Sequence, residues 1–124
     1  MRHSEIGSYQ LIWRAQPAGY NFLGGFFCSP CFGYVRLRSK SSGDSLYLAI
    51  GADTIEVLPA SVTYKLNDDL YHGYGAIRQR ELHSFLDLLR NEKPMYMTIY
   101  DGAAQANGIS TSAEPVGEGT DISP

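Results

Sequence analysis

AIRQRELHSFLDLLRNEKPMYMTIY, residues 76–100, is the stretch on which the fold turns. Leu82, Phe85, Leu86 and Leu89 recur at three- and four-residue spacing, which places them on one helix face, while Gln79, Glu81, Ser84 and Asp87 face elsewhere. The spacing predicts an amphipathic helix over Ala76–Arg90. Asn91 stands where a left-handed C-terminal cap is expected, and Pro94 prevents continuation. Met95, Tyr96, Met97, Thr98, Ile99 and Tyr100 then read as a strand. A helix with one apolar face beside a strand implies a helix laid on a sheet.

Working upstream, Tyr9, Leu11, Trp13 and Ala15 alternate with Gln10, Ile12 and Arg14, the period of a strand. Gln16–Gly25 carries Pro17, Gly19, Asn21, Gly24 and Gly25 and reads as a loop, with Tyr20, Phe22 and Leu23 as apolar anchors. Phe32–Arg38 alternates again, and the turn-rich Ser39–Asp44 connects it to a strand at Leu46–Ile50, as in a hairpin. Further strands are expected at Thr54–Leu58 and Val62–Leu66, followed by a polar, glycine-bearing loop at Asn67–Gly75. Strands first and a helix late predict an α+β fold: an antiparallel sheet of about five or six strands with one amphipathic helix packed on one face. Residues 1–100 form the domain in this reading. Residues 101–124, which hold Asp101, Glu114, Glu118 and Asp121 and no Lys or Arg, form an acidic, mostly extended tail. Within it Ile109–Ser112 can add an edge strand that Pro115 ends.

With those acids set aside, the net charge of −3 leaves a nearly neutral body, so nucleic acid is not an expected partner, since phosphate neutralisation needs clustered cations. No apolar run approaches the roughly 20 residues of a membrane span, and no hydrophobic stretch of signal-peptide type follows Met1–Glu5. A cytoplasmic location without membrane contact is expected. Nine tyrosines against a low charge content favour contact surfaces over solvated ones.

Three constellations carry chemistry-bearing residues. Cys28 and Cys31 have the two-residue spacer of a redox pair or half a metal site, yet a strand pattern rather than a helix follows them, and His72 and His83 are too far apart in sequence for a second zinc knuckle. Phe32-Gly33-Tyr34-Val35 resembles the core of the aromatic strand motif of RNA-recognition domains, although the flanking positions do not match. Independently of that motif, Tyr34, Arg36 and Arg38 share one strand face as a basic, aromatic stripe. The segment from Asp68 to Gly75 gathers Asp69, Tyr71, His72 and Tyr74 on a loop with Gly73 and Gly75 as hinges, a composition suited to a pocket lip or to an acid–base pair. His83 is expected at the boundary of the apolar helix face, and His3 on a frayed end. No nucleophile elbow, phosphate-binding glycine loop or dinucleotide fingerprint is present, and no catalytic residue or cofactor is assigned.

The run from Leu88 to Pro94 with its following strand, and Ile109–Gly119, resemble the C-terminal portion of small proteins encoded by bacterial mobile integron gene cassettes. The resemblance implies a compact cytoplasmic protein, often homo-oligomeric and sometimes pocket-bearing, and supplies no catalytic residue. The resulting expectation is a non-enzymatic binding or interaction module acting as a homodimer, with Trp13, Phe22, Phe26 and Phe27 at its interface. The alternatives are a small-molecule binder or small enzyme with a pocket near Asp68–Tyr74, and a single-stranded nucleic-acid binder.

Overall fold

The computed structural model describes residues 2–22, 25–67, 69–100 and 107–111. Leu23, Gly24, Asp68 and the tail positions 101–106 and 112–124, including the expected stop at Pro115, lie outside the described residues. In chain order the elements are β1 (Arg2–Asn21), β2 (Phe27–Ser39), β3 (Ser45–Gly51), β4 (Val62–Asn67), β5 (Leu70–Arg78), a 3-10 turn at Gln79–Glu81, α1 (Leu82–Asn91), β6 (Tyr96–Ile99) and β7 (Gly108–Ser110). The architecture is α+β, with the strands in one sheet of order β4-β5-β3-β2-β1-β6-β7. Seven strands are described, rather than the five or six expected.

β5 and β7 are gained and the strand expected at Thr54–Leu58 is not formed, and two features depart from the expected layout. The region expected to be a loop at Asn67–Gly75 is largely β5, inserted between β3 and β4 and running parallel to β3, so the sheet is not a simple antiparallel meander. Its glycines permit close packing. A Cβ at Gly73 would stand 2.9 Å from Asn107 Nδ2 and 3.2 Å from Ile99 Cγ2. The second feature is β1, which runs through Gly7, Pro17 and Gly19 to Asn21, with register shifts between Ile6 and Ser8 and between Trp13 and Tyr20. Bulges absorb residues that look loop-like in sequence without ending the pairing with β2.

The expected strand at Thr54–Leu58 is a turn closed by the Ile55 N–H on the Ala52 carbonyl (3.1 Å). This turn governs where the helix begins. Asp53 Oδ1 accepts from the Arg80 N–H at 2.7 Å, Glu81 Oε1 accepts from the Arg78 N–H at 3.0 Å, and the Arg78 guanidinium donates to the carbonyls of Ile55 and Glu56. Ala76–Arg78 therefore stays in β5, paired with Ala49–Gly51, and α1 starts at Leu82. Carboxylates at the first turn satisfy N–H groups that have no helical partner. Asn91 is the last helical residue and not a left-handed cap; among the described residues positive φ occurs only at glycine. His83 is exposed and pairs with Asp87 at 3.3 Å.

The face of the sheet turned to α1 holds the main core: Val35 and Leu37 from β2, Leu46, Leu48 and Ile50 from β3, Met97 and Ile99 from β6, and Leu86 and Leu89 from α1. Each such side chain contributes about 1.5–3 kcal/mol on burial. The ends of the sheet are drawn together around this core. Asn107, ahead of β7, donates from Nδ2 to the carbonyls of Val62 (3.2 Å) and Tyr74 (3.5 Å), and its Oδ1 accepts from the Tyr100 N–H (2.9 Å). β7 pairs with β6, and Ile109 packs against the core, so residues 108–110 belong to the folded unit.

A second clamp is Asp44, buried at the start of β3, which accepts two bonds from the Arg2 guanidinium (2.8 and 3.1 Å) and one from the Tyr71 N–H (3.0 Å). The N-terminal end is not frayed. Arg2–Glu5 pairs with β6, and His3 Nδ1 lies 2.8 Å from Thr98 Oγ1 with its ring stacked on Tyr96.

Candidate functional site

The opposite face of the sheet is aromatic because period-two alternation places one residue type on it in strand after strand. It carries Tyr34 and Arg36 from β2, Tyr47 and Ala49 from β3, Tyr64 from β4, and His72, Tyr74 and Ala76 from β5. Register sets Arg36 against Tyr47, Tyr47 against Tyr74, and His72 against both Ser45 and Tyr64. The rings contact one another: Tyr47–Tyr74 are stacked with centroids 5.1 Å apart, Tyr34–Tyr47 are 6.0 Å apart, Tyr47–His72 5.4 Å, and Tyr64 meets Tyr74 edge-on at 5.9 Å. Offset and edge-on pairs of this kind each add about 0.5–1.5 kcal/mol beyond burial.

Phe22, just after β1, and Phe26, just before β2, cover part of this face. Phe22 lies 5.4 Å from Tyr34 and 5.5 Å from Tyr74, and Phe26, itself buried, stacks on Tyr74 at 5.8 Å. The Phe22 N–H donates to the Phe26 carbonyl (2.8 Å). Tyr74 is thereby 2% exposed, while Tyr34, Arg36, Tyr47, Tyr64 and His72 remain half-buried around it. What results is a rigid ring cluster with an open rim on which a cation and an imidazole stand.

The electrostatics of the rim favour negative charge. Arg36 Cζ lies 5.2 Å from the Tyr47 ring centre, and its Nε and Nη2 both donate to Ser45 Oγ at 3.3 Å. Burial, and then the Arg36 charge, lower the His72 pKa below its ordinary 6.5, with Asp44 opposing, so the imidazole is neutral at pH 7. Burial pushes the Tyr74 phenol up to about 12, with the neighbouring phenols of Tyr47 and Tyr64 adding to it. No Asp or Glu is among the residues placed on this face. At its far end Arg14 lies over Tyr20 (5.4 Å), whose hydroxyl is buried and has no partner among the described residues. A cation, ring edges and hydroxyls can hold a planar anion. Proton transfer by His72 would need a carboxylate to orient it, and among the described residues none is hydrogen-bonded to it.

Of the residues singled out as ligand-binding, Tyr34, Arg36, His72 and Tyr74 are thus brought together, and Arg38 occupies the same face at its exposed end. Two are placed elsewhere. Tyr71 faces the helix-side core beneath the Arg2 guanidinium (4.6 Å). Asp69 is exposed at the start of β5, where its N–H donates to Asn67 Oδ1 and its carbonyl accepts from Arg2. Tyr47 and Tyr64 are the members that sequence reasoning passed over; the alternation of Tyr47 with Leu46, Leu48 and Ile50 was the available signal.

The RNA-recognition-like string does not make a platform of two rings. A bulge at Phe32–Gly33 sends Phe32 to the helix side, where it stacks on Trp13 at 5.4 Å, while Tyr34 stays on the aromatic face. Of the aromatics assigned to an interface, Phe22 and Phe26 belong to the cluster, whereas Trp13 and Phe27 are 47% and 53% exposed.

Cys28 and Cys31 are free thiols, both buried under the same cluster. Cys28 Sγ points at the Pro30 carbonyl (4.0 Å) and Cys31 Sγ at the Gly33 carbonyl (3.6 Å); the interaction between the two thiols holds the Cys28 pKa well up and lowers that of Cys31. Among the described residues no group of three or more His, Cys, Asp or Glu comes together that could hold a metal ion. No helix among them is long and apolar enough to cross a membrane. In comparisons with known proteins, no family model, curated protein or solved structure matches the chain.

Proposed function

We propose that this protein is a non-enzymatic binding module whose aromatic face takes a small planar ligand bearing a carboxylate or phosphate. The observation that carries the reading is the union of Arg36, Tyr47 and His72 on an open rim, with Arg36 held by the buried Ser45 hydroxyl beside a prepacked ring cluster, and with no acidic residue on that face among the described residues. The rings are held by one another and by Phe22, so little rotamer freedom is lost on binding. The resemblance to cassette-encoded proteins agrees with a binding role and adds no residue to the site.

The test is isothermal titration of adenosine monophosphate and 4-hydroxybenzoate into the wild type, Arg36→Ala and His72→Asn, with Arg80→Ala, on the 3-10 turn, as control. The expected result is binding of at least one probe, weakened about tenfold or more by Arg36→Ala, which removes a charge-assisted contact. A bound anion favours the imidazolium form of His72, so affinity should rise as pH falls below 6.5 in the wild type and lose that dependence in His72→Asn. Binding of neither probe, or binding indifferent to Arg36→Ala, refutes the proposal. Tight binding of an oligonucleotide with a steep salt dependence would replace it with the nucleic-acid reading.

A further inference from the structure

A separate surface lies along β1, independent of the aromatic face. β2 pairs with one edge of β1 from Ile6 to Asn21, but β6 pairs with the other edge only over Arg2–Glu5, and the Ile6 N–H on the Met95 carbonyl (2.8 Å) ends that contact. Among the described residues no strand continues along this edge. Alternate residues of an antiparallel strand turn their N–H and C=O to opposite sides, so alternate residues of Ser8–Gln16 direct theirs away from β2.

The side chains here are equally unprotected. Tyr9, Leu11 and Trp13 lie in register with Leu37, Val35 and Gly33, on the helix side of the sheet, yet they are 38%, 39% and 47% exposed. Between Gly7 and Asn21 the sole charged residue is Arg14. Open edges are ordinarily blunted by charge, proline or a covering segment. Pro17 blunts this one only at its own position. Beside Tyr9, a groove of about 410 Å³ has Gly7, Leu89 and Met95 in its wall, with the charged Glu5, Lys40 and Lys93 also lining it.

We propose that this edge pairs, antiparallel, with the same edge of a second copy of the chain, about a two-fold axis beside Leu11. In that register Leu11 meets Leu11, and Tyr9 of each copy meets Trp13 of the other, giving apolar cross-strand pairs. Trp13 of the second copy then arrives at the mouth of the groove beside Tyr9, so an exposed indole and an unfilled groove coincide at the same offset. Arg14 falls opposite Ser8, and like charges are not opposed. This self-complementarity selects a second copy over an unrelated strand, because one stretch supplies the ladder, the projecting ring and the groove wall.

The test is sedimentation equilibrium of the full chain over a range of concentrations, together with hydrogen exchange. The expected mass is twice the 13.7 kDa of the chain. Outward-directed amides within Ser8–Ala15 should gain protection as concentration rises. Trp13→Glu and Leu11→Lys should each weaken association about thirtyfold or more while preserving the circular dichroism spectrum, whereas Leu88→Lys, on the exposed side of α1, should not. A monomer at every concentration overturns the proposal, as does a dimer indifferent to both β1 substitutions. Protection of these amides that is independent of concentration also overturns it, since another part of the same chain would then cover the edge.

Discussion

Replacing Asn107 by Asp tests whether the sheet is closed by a single amide. The substitution keeps the shape and the Oδ1 acceptor that serves the Tyr100 N–H at 2.9 Å. It exchanges the Nδ2 donor, now 3.2 Å from the Val62 carbonyl and 3.5 Å from the Tyr74 carbonyl, for a charged oxygen aimed at two acceptors. The third acceptor of Nδ2, Thr63 Oγ1 at 3.2 Å, can turn to donate to the new carboxylate, so the bonds lost outright are the two to the carbonyls, at about 1 kcal/mol each, and repulsion in a half-buried site brings the total to about 2–4 kcal/mol. For a chain of this size that corresponds to a fall of about 10 °C in melting temperature. The penalty belongs to the ionised form. The two carbonyls raise the folded-state pKa of the new carboxyl above its unfolded value, so the deficit should be full at pH 7 and shrink as pH falls through the folded pKa, where the protonated acid regains one donor. Urea unfolding followed by Trp13 fluorescence at pH 7 and at about pH 4 measures both quantities. Asn107→Ala, which cannot ionise, should be destabilised with no such recovery. An Asp variant within about 0.5 kcal/mol of the wild type at pH 7, or a deficit that does not shrink in acid, would refute closure by Asn107.

Gly33→Ala should be among the most damaging single-methyl additions, because its φ of 152° disfavours any side chain and a Cβ there would stand 1.9 Å from the Ile12 carbonyl oxygen. A loss of about 3 kcal/mol or more, or failure to accumulate soluble protein, is the expected outcome; a normal melt would show that the bulge between β1 and β2 is misplaced. His72 should make stability depend on pH. Its folded pKa lies below the unfolded 6.5, so the unfolded chain binds the proton first and stability should decline as pH falls below 6.5, by less in His72→Asn than in the wild type. Equal slopes for the two proteins between pH 7.5 and 5 would remove His72 from the half-buried position assigned to it.

Periodicity was enough to read Leu82–Leu89 as a helix face and Tyr34–Arg36 as a strand face, because in both the side chains alternate between a dry and a wetter environment. It failed where the backbone was decided by distant partners. Ala76–Arg78 has nothing against a helix locally, but β3 offers those three residues ladder bonds, and Asp53 and Glu81 fix the helix start beyond them. Gly73 and Gly75 look like hinges in the sequence. In the fold they are buried strand positions, small because Asn107, Ile99 and Leu48 crowd them. Half of the candidate site was visible for the same reason that half was not: Arg36 announces itself by charge, whereas Tyr47 matters through its register against Arg36 and Tyr74, and Tyr71 leaves the site by one step of alternation. Sequence shows which residues share a strand face and is silent on which strands are neighbours.

The unusual length of β1 links the two proposed surfaces. Its first residues hold β6, its middle leaves an open edge, and its end carries Tyr20 and Phe22 over the aromatic face. A two-fold axis relating antiparallel neighbours stands perpendicular to the sheet and preserves its sides. In a dimer joined at β1 the apolar stripes would therefore meet on the helix side, and both aromatic rims would open on the other. Arg36 stands one strand in from the junction, opposite Gln10, and His72 two strands further off on β5; both lie on the side of the sheet away from the apolar stripe. Association and ligand binding should then be thermodynamically independent, with one ligand per chain and an affinity unchanged by dilution or by Leu11→Lys. Titrating the ligand at two protein concentrations that straddle dissociation measures the coupling. An affinity that followed the dimer fraction would require a residue of one copy to reach the rim of the other, and the two-fold axis would have to lie nearer Arg14 than Leu11.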